Sequence, residues 1–210
     1  MAHLRCLSPI AVGLPELETA RLSLRLARPS MAAAMARFFA DNWEGHLDRW
    51  SPPAAPGFFA PAFWHDRLER APAEWEAGTA ARFVMQGLGA GEDGPVLGTC
   101  NYTNIVRGPF QACHLGYQVA REHEGRGLMH EALAALNAFA FEAMGLHRIM
   151  ANYIPSNERS GALLQRLGFE REGVAKNYLY IDGAWRDHVF TSLTNPHFDD
   201  AWLQAPPPLP

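Results

Sequence analysis

The sequence predicts an α+β fold, a mixed α/β sheet with interspersed helices in one domain. Three observations carry that expectation. Leu22-Ser23-Leu24-Arg25-Leu26 alternates apolar and polar side chains, the signature of a half-buried strand. Gly127 to Met144 has helical spacing of apolar residues and strong helix formers. Asp182-Gly183 separates two strand-like runs and is a type I′ hairpin signal.

The remaining elements follow in chain order. Ser30 is placed to N-cap an alanine- and methionine-rich helix that ends near Asn42. Phe63 to Ala77 reads as helical, with a break expected at Pro72. Arg82 to Leu88 reads as a strand, Gly89 to Pro95 as a turn, and Val96 to Ile105 and Ala112 to Val119 as strands joined through Arg107-Gly108-Pro109. His147 to Ile154 is a strand stopped by Pro155. Ser156 to Leu167 is a helix closed by Gly168 at C′. Asn177 to Ile181 and Trp185 to Leu193 form the closing hairpin.

The 210 residues and an apolar fraction of 48% allow a sizeable core and exclude wholesale disorder. A net charge of −4 argues against a binder that works by phosphate neutralisation, so no direct nucleic-acid partner is expected. No apolar run approaches the roughly 18 residues of a membrane span, and residues 1–16 read as a frayed lead-in rather than a secretory signal. Cys6, Cys100 and Cys113 have no CxxC spacing, which excludes a disulfide scaffold and points to a reducing, cytoplasmic setting. The nine histidines form no HxxxH pair, so no metal is expected. Residues 17–198 are taken as one domain and 199–210 as a proline-rich tail.

The most informative stretch runs from Leu115-Gly116-Tyr117-Gln118-Val119 through Glu124-Gly125-Arg126-Gly127 to Leu128-Met129-His130. It reads as a strand, a loop with two glycines and a helix start. Such a start presents unpaired N–H groups and suits a pyrophosphate. Alone, a GxG is equally a connection without function. It matches neither a P-loop nor a dinucleotide fingerprint.

A second segment is Asn152-Tyr153-Ile154-Pro155-Ser156-Asn157-Glu158-Arg159-Ser160, leading to Leu164 and Leu167-Gly168-Phe169. Together the two segments resemble the acetyl-CoA-binding core of the GCN5-related N-acetyltransferases (GNAT). Within that family the chain looks most like the RimJ/RimL branch, which acetylates ribosomal-protein N-termini, and closest to the RimJ type. Asn104-Ile105-Val106-Arg107-Gly108, His147 to Tyr153 and Ile181 to Val189 carry the RimJ-type likeness. Two positions depart from the family loop: Glu124 stands where Arg or Gln is usual, and Met129 where the residue is small.

The resemblance implies the GNAT acyl-CoA N-acyltransferase fold, a mostly antiparallel central sheet with two splayed strands, and acetyl-CoA as co-substrate. It implies direct attack of an amine on the thioester, with no acyl-enzyme. Tyr117, Gln118 and Val119 would pair with pantetheine amides, and the Gln118 N–H would polarise the thioester carbonyl. The amides of Glu124, Gly125, Arg126, Gly127, Leu128, Met129 and His130 would take the pyrophosphate. Asn152 and Asn157 would contact the pantetheine, Asn157 being equally suited to cap its helix. Ser160, one turn after Asn157, would protonate the leaving thiolate or merely back-bond within its helix. His114 would relay the amine's proton through water or be a plain strand histidine. Asp187 and His188 on the closing hairpin are remoter candidates for the base.

An α-amine with pKa of about 7.7–8.0 is roughly a fifth to a third neutral at pH 7.4, whereas a lysine is only about 0.1% neutral. A site without a strong base therefore favours a protein N-terminus, here of the ribosomal type. The alternatives are a small-molecule amine as acceptor, and a non-catalytic CoA-binding or ribosome-assembly module. A monomer or a homodimer is expected. Trp43, Trp50, Phe58, Phe59, Phe63 and Trp64 suit either core packing or an acceptor wall.

Overall fold

The structure is a computed structural model that describes residues 5–6 and 14–199. The expected proline-rich tail lies outside the described residues from 200 onward, as does most of the lead-in. Arg5–Cys6 is an exception to the frayed reading: as strand β1 it pairs with Leu17 and Glu18 of β2 (Glu16–Glu18).

The other strands are β3 (Leu22–Leu26), β4 (Ala81–Gly87), β5 (Val96–Val106), β6 (Ala112–Val119), β7 (Arg148–Tyr153), β8 (Glu170–Ile181) and β9 (Ala184–Thr194). They form one sheet in the order β1-β2-β3-β4-β5-β6-β7-β9-β8. Every pairing is antiparallel except β6–β7. That parallel pair needs a crossover, which α4 (Leu128–Glu142) supplies. The mixed sheet and flanking helices are those the sequence predicted.

Alternate residues of a strand face opposite sides, so the sheet builds two cores. Phe83 and Met85 of β4 pack with Cys100, Tyr102, Leu115 and the buried residues of α4 and α5 (Glu158–Arg166). Val84, between them, packs with α1 (Ala32–Asn42) and α2 (Pro61–Leu68) on the other side.

Three expectations need correction. Ser30 does not cap α1. It lies in a 3-10 turn, Pro29–Met31, and its hydroxyl donates to Glu92 Oε2 at 2.6 Å, so α1 starts with no side-chain cap. The helix break falls at Glu69 rather than Pro72. Pro72 is the third residue of α3 (Arg70–Glu76), inside the first turn, where a missing N–H breaks no helical bond. Strand β8 begins at Glu170, seven residues before the expected start. Its early part, Glu170 to Lys176, is mostly exposed on the sheet edge, so it carries charges instead of an apolar alternation.

The hairpin signal held: Asp182 and Gly183 have φ of 49° and 71°, both positive as a type I′ turn requires. Gly168 closes α5 at φ 84°. Phe169 N–H bonds Leu164 O and Gly168 N–H bonds Gln165 O, which is a Schellman motif.

Candidate active site

Strands β6 and β7 part company in mid-sheet. Their parallel register runs from Ala112↔Arg148 to Leu115↔Ala151 and stops. Beyond it, β6 stays with β5 and β7 stays with β9. A cleft opens between Gly116–Val119 and Asn152–Tyr153, with free backbone groups on its walls.

The direction of those groups follows from two bonds. Ala120 N–H donates to Leu97 O on the β5 side at 2.9 Å, and Gln111 O accepts from Arg148 N–H on the β7 side at 3.1 Å. Alternation along β6 then turns the amides of Gly116 and Gln118 toward β5 and those of Tyr117 and Val119 toward the cleft. This corrects the expected role of the Gln118 amide. The Gln118 side chain instead donates to Ser51 Oγ at 2.9 Å on the opposite face of the sheet. Val119 O accepts from His46 Nε2 at 3.0 Å, so the ring's proton sits on that nitrogen.

At the end of β6 the chain makes a 3-10 turn, Arg121–His123, and then the glycine loop. Gly125 and Gly127 have φ of 71° and 74°, a region that disfavours side chains. Gly127 is the N-cap of α4, and no side chain caps that end. The N–H groups of Leu128, Met129 and His130 therefore have no carbonyl within the helix to reach. The Leu128 and Met129 side chains are buried, which fixes the loop from below and leaves only their backbone for a ligand.

Glu131 pins this end of α4 to the β2–β3 turn. Its Oε1 accepts from Thr19 Oγ1 at 2.6 Å and Arg21 N–H at 2.9 Å, and its Oε2 from Arg21 Nε at 2.7 Å. Arg21 also donates to Arg126 O at 3.0 Å. These bonds hold the Glu131 carboxyl below its ordinary pKa against the opposing effect of burial. Glu124, the atypical carboxylate of the loop, is ion-paired with Arg159 of α5, and its other oxygen lies 4.0 Å from His46 Nδ1. Arg159 occupies the carboxylate that would otherwise oppose a phosphate.

Across the cleft, α5 starts at Asn157, whose side-chain oxygen accepts from Ser160 N–H at 3.2 Å. The cap reading of Asn157 holds, and its Nδ2 stays free. Ser160 Oγ lies 2.7 Å from the Tyr117 hydroxyl. Burial pushes that phenol up to about 12, although the Ser160 bond works the other way. Tyr153 packs so tightly over Gly161 that a Cβ there would sit 2.9 Å from its ring. Asn152, on β7, is half-buried beside the point of parting.

His114 lies below that point, paired with Thr103 and Met150 in register. Burial lowers its pKa, and its Nδ1 is buried without a hydrogen-bond partner. Asp187 accepts from Asn177 N–H, and His188 is buried with Nδ1 against Arg186 O. Both serve the hairpin.

On the face of the sheet opposite α4 and α5 lies a cavity of about 380 Å³ between α1, α2 and strands β4 to β6. Aromatic rings build much of its wall. Phe39 and Trp64 stack at 4.6 Å, and Phe58 stands 4.9 to 5.2 Å from Phe39, Trp43 and Trp64. These rings serve both as core and as wall. Gln118, Thr99 and Asn101 form the floor, and Arg67 and Arg82 are the charged groups lining it.

Four contributors escaped the sequence reading: His46, Arg67, Arg159 and the Tyr117 hydroxyl. His46 and Arg67 carry no motif spacing, and Arg159 falls at a variable position between Asn157 and Ser160. Tyr117 was expected to act only through its backbone.

A family model described as an acetyltransferase (GNAT) domain matches residues 21–170. The chain is 44% identical over 180 residues to a [ribosomal protein uS5]-alanine N-acetyltransferase of Escherichia coli strain K12, covering 86% of this chain and 91% of that protein. A ribosomal-protein-S5-alanine acetyltransferase from Vibrio fischeri superposes with a TM-score of 0.82 at 39% identity, covering 88% of this chain and 98% of the other. RimJ of Mycobacterium smegmatis, solved with a CoA-disulfide, gives 0.74 at 34% identity, covering 82% and 81%.

Proposed function

The chain belongs to the GNAT family of acetyl-CoA-dependent N-acetyltransferases, and we propose that its acceptor is the α-amine of a protein N-terminus, that of a ribosomal protein. The observation that carries this is the parting of β6 and β7 beyond Leu115 and Ala151, with the glycine loop at one end and the aromatic cavity across the sheet. Its likeness to enzymes named for ribosomal-protein alanine N-termini supports the acceptor class.

In this reading residues 17–198 work as one unit. The cleft-facing N–H and C=O of Tyr117 and the N–H of Val119 bind the pantetheine as an added strand does, with Asn152 and the Nδ2 of Asn157 beside it. The amides of Gly125 to His130 hold the pyrophosphate at the start of α4. The Tyr117 or Val119 N–H polarises the thioester carbonyl. The amine enters from the cavity and attacks directly, with no acyl-enzyme. Ser160 gives its proton to the departing thiolate and regains one from solvent, which balances the proton taken from the amine. His114, neutral at working pH, takes the amine's proton through water.

Among the described residues the cavity wall holds no carboxylate to trap an ammonium. That favours an amine that is substantially neutral on arrival, as an α-amine is and a lysine is not. It also counts against polycationic small amines. Free-thiol release should be measured with N-terminal peptides of ribosomal proteins and with a panel of small amines. Turnover confined to small amines would overturn the acceptor assignment.

A further inference from the structure

The cavity on the α1–α2 face has a charge pattern at odds with the chain. The protein carries a net −4, yet the charged side chains lining this cavity are two arginines. The two differ in what they face. Arg82 is spent: its Nε donates to Glu74 Oε2 at 2.6 Å and its second guanidinium nitrogen reaches Glu74 Oε1 at 3.3 Å. Each oxygen of Glu74 thus holds one bond from Arg82. Arg67, on α2 and one turn after the buried Trp64, makes no hydrogen bond or ion pair among the described residues. Partial burial and the fields of Arg82 and Arg70 oppose its charge, and the nearby Glu74 carboxylate offsets only part of that.

Arg67 is exposed at the cavity rim, so its N–H donors are solvated and open to an incoming anion. Its planar fork fits a carboxylate with two parallel N–H donors. Resting on the reading of this cavity as the acceptor site, we propose that Arg67 selects acceptor peptides bearing an aspartate or glutamate within their first few residues. Arg67 is a specificity residue in this scheme. It takes no part in bond making. The neutral polar floor of Thr99, Asn101 and Gln118 leaves the amine itself unpaired, so the charge recognised belongs to a side chain beyond it.

The test uses the full-length protein, acetyl-CoA and peptides that begin with the same alanine. Positions 2 to 5 carry Glu, Gln or Lys in turn. At one of these positions the Glu peptide should exceed the Gln peptide in kcat/KM by about tenfold, the scale of one charge-assisted bond. The Lys peptide should be the poorest. Arg67→Gln should bring the Glu-to-Gln ratio to about one, and Arg67→Lys should retain part of it. Arg70→Gln, which removes an exposed neighbouring charge, should leave most of the ratio in place.

Equal turnover of Glu and Gln peptides at all four positions would overturn the inference, as would a ratio that survives Arg67→Gln. Those results would leave the acceptor assignment standing. Failure to acetylate any peptide would overturn that assignment and this inference with it.

Discussion

The hydroxyls of Tyr117 and Ser160 lie 2.7 Å apart, one on β6 and one on α5, across the cleft where β6 and β7 separate. A serine alone is a poor acid. Either hydroxyl can donate in this pair; with the phenol donating, the serine gives up its own proton more readily, because the alkoxide forming on it is already hydrogen-bonded. Ser160→Ala should lower kcat by roughly tenfold to a hundredfold, the low end for general-acid catalysis because a thiolate leaves easily. Tyr117→Phe should lower kcat by a few-fold and leave the acetyl-CoA KM nearly unchanged. Because the Tyr117 phenol is pushed up to about 12, neither group should add an alkaline limb to the rate profile below about pH 10. Steady-state rates between pH 6 and 10 check all three.

His114 gives a stability signature with a defined sign. Burial lowers its pKa below the ordinary 6.5 of a histidine, so near and just below that pH the unfolded chain binds more protons than the folded one. Its contribution is intact above pH 6.5 and is lost as the pH falls through that value toward the folded pKa. Urea midpoints for wild type and His114→Gln should therefore converge between pH 7.5 and 5.5, with the wild type losing more. The same variant should lower kcat if the histidine relays the amine's proton.

Arg159 and Glu124 form a pair whose value is electrostatic rather than structural. Arg159 is 79% exposed, so the pair contributes about 1 kcal/mol of stability or less. Arg159→Ala should hardly move Tm, yet should raise the acetyl-CoA KM several-fold by releasing a carboxylate beside the phosphate loop. Adding Glu124→Gln should restore the KM. Independent effects of the two substitutions in a double-mutant cycle would refute the coupling.

Gly127 is required for its backbone rather than for space. A Cβ there would meet only Arg21, at 3.6 Å, but φ is 74°. Gly127→Ala should cost about 1–2 kcal/mol at this left-handed position. The strain should also turn the amides at the start of α4, raising the acetyl-CoA KM more than the peptide KM. Initial rates with each substrate varied separately will show it.

Much of this was legible in the chain, for local reasons. The strands around the cleft carry apolar alternation, and the glycine loop and the Asn157–Ser160 motif announce backbone geometry that few sequences provide. What was missed lies in tertiary relations. Gln118 was chosen for its amide, but the hydrogen-bonding phase of β6 is set by where β5 pairs with it, and Leu97 fixes that. Arg67 carries no motif, and its place at the cavity follows only from how Trp64 and Leu68 of the same helix pack into the core. The early part of β8 was unreadable because an edge strand with exposed faces needs no apolar pattern. Ser30 was misread because its partner, Glu92, lies 62 residues away.

The Glu124–Arg159 pair also constrains how such a chain can change over time. A glutamate arriving first in the phosphate loop would face the co-substrate unopposed and depress activity in every intermediate that carried it. An arginine arriving first on the exposed surface of α5 costs almost nothing. The order of substitution is thereby polarised: the cation precedes the acid, and once both are present the arginine can no longer be lost freely. For as long as Glu124 is kept, the residue at position 159 answers to a loop of which it is no part.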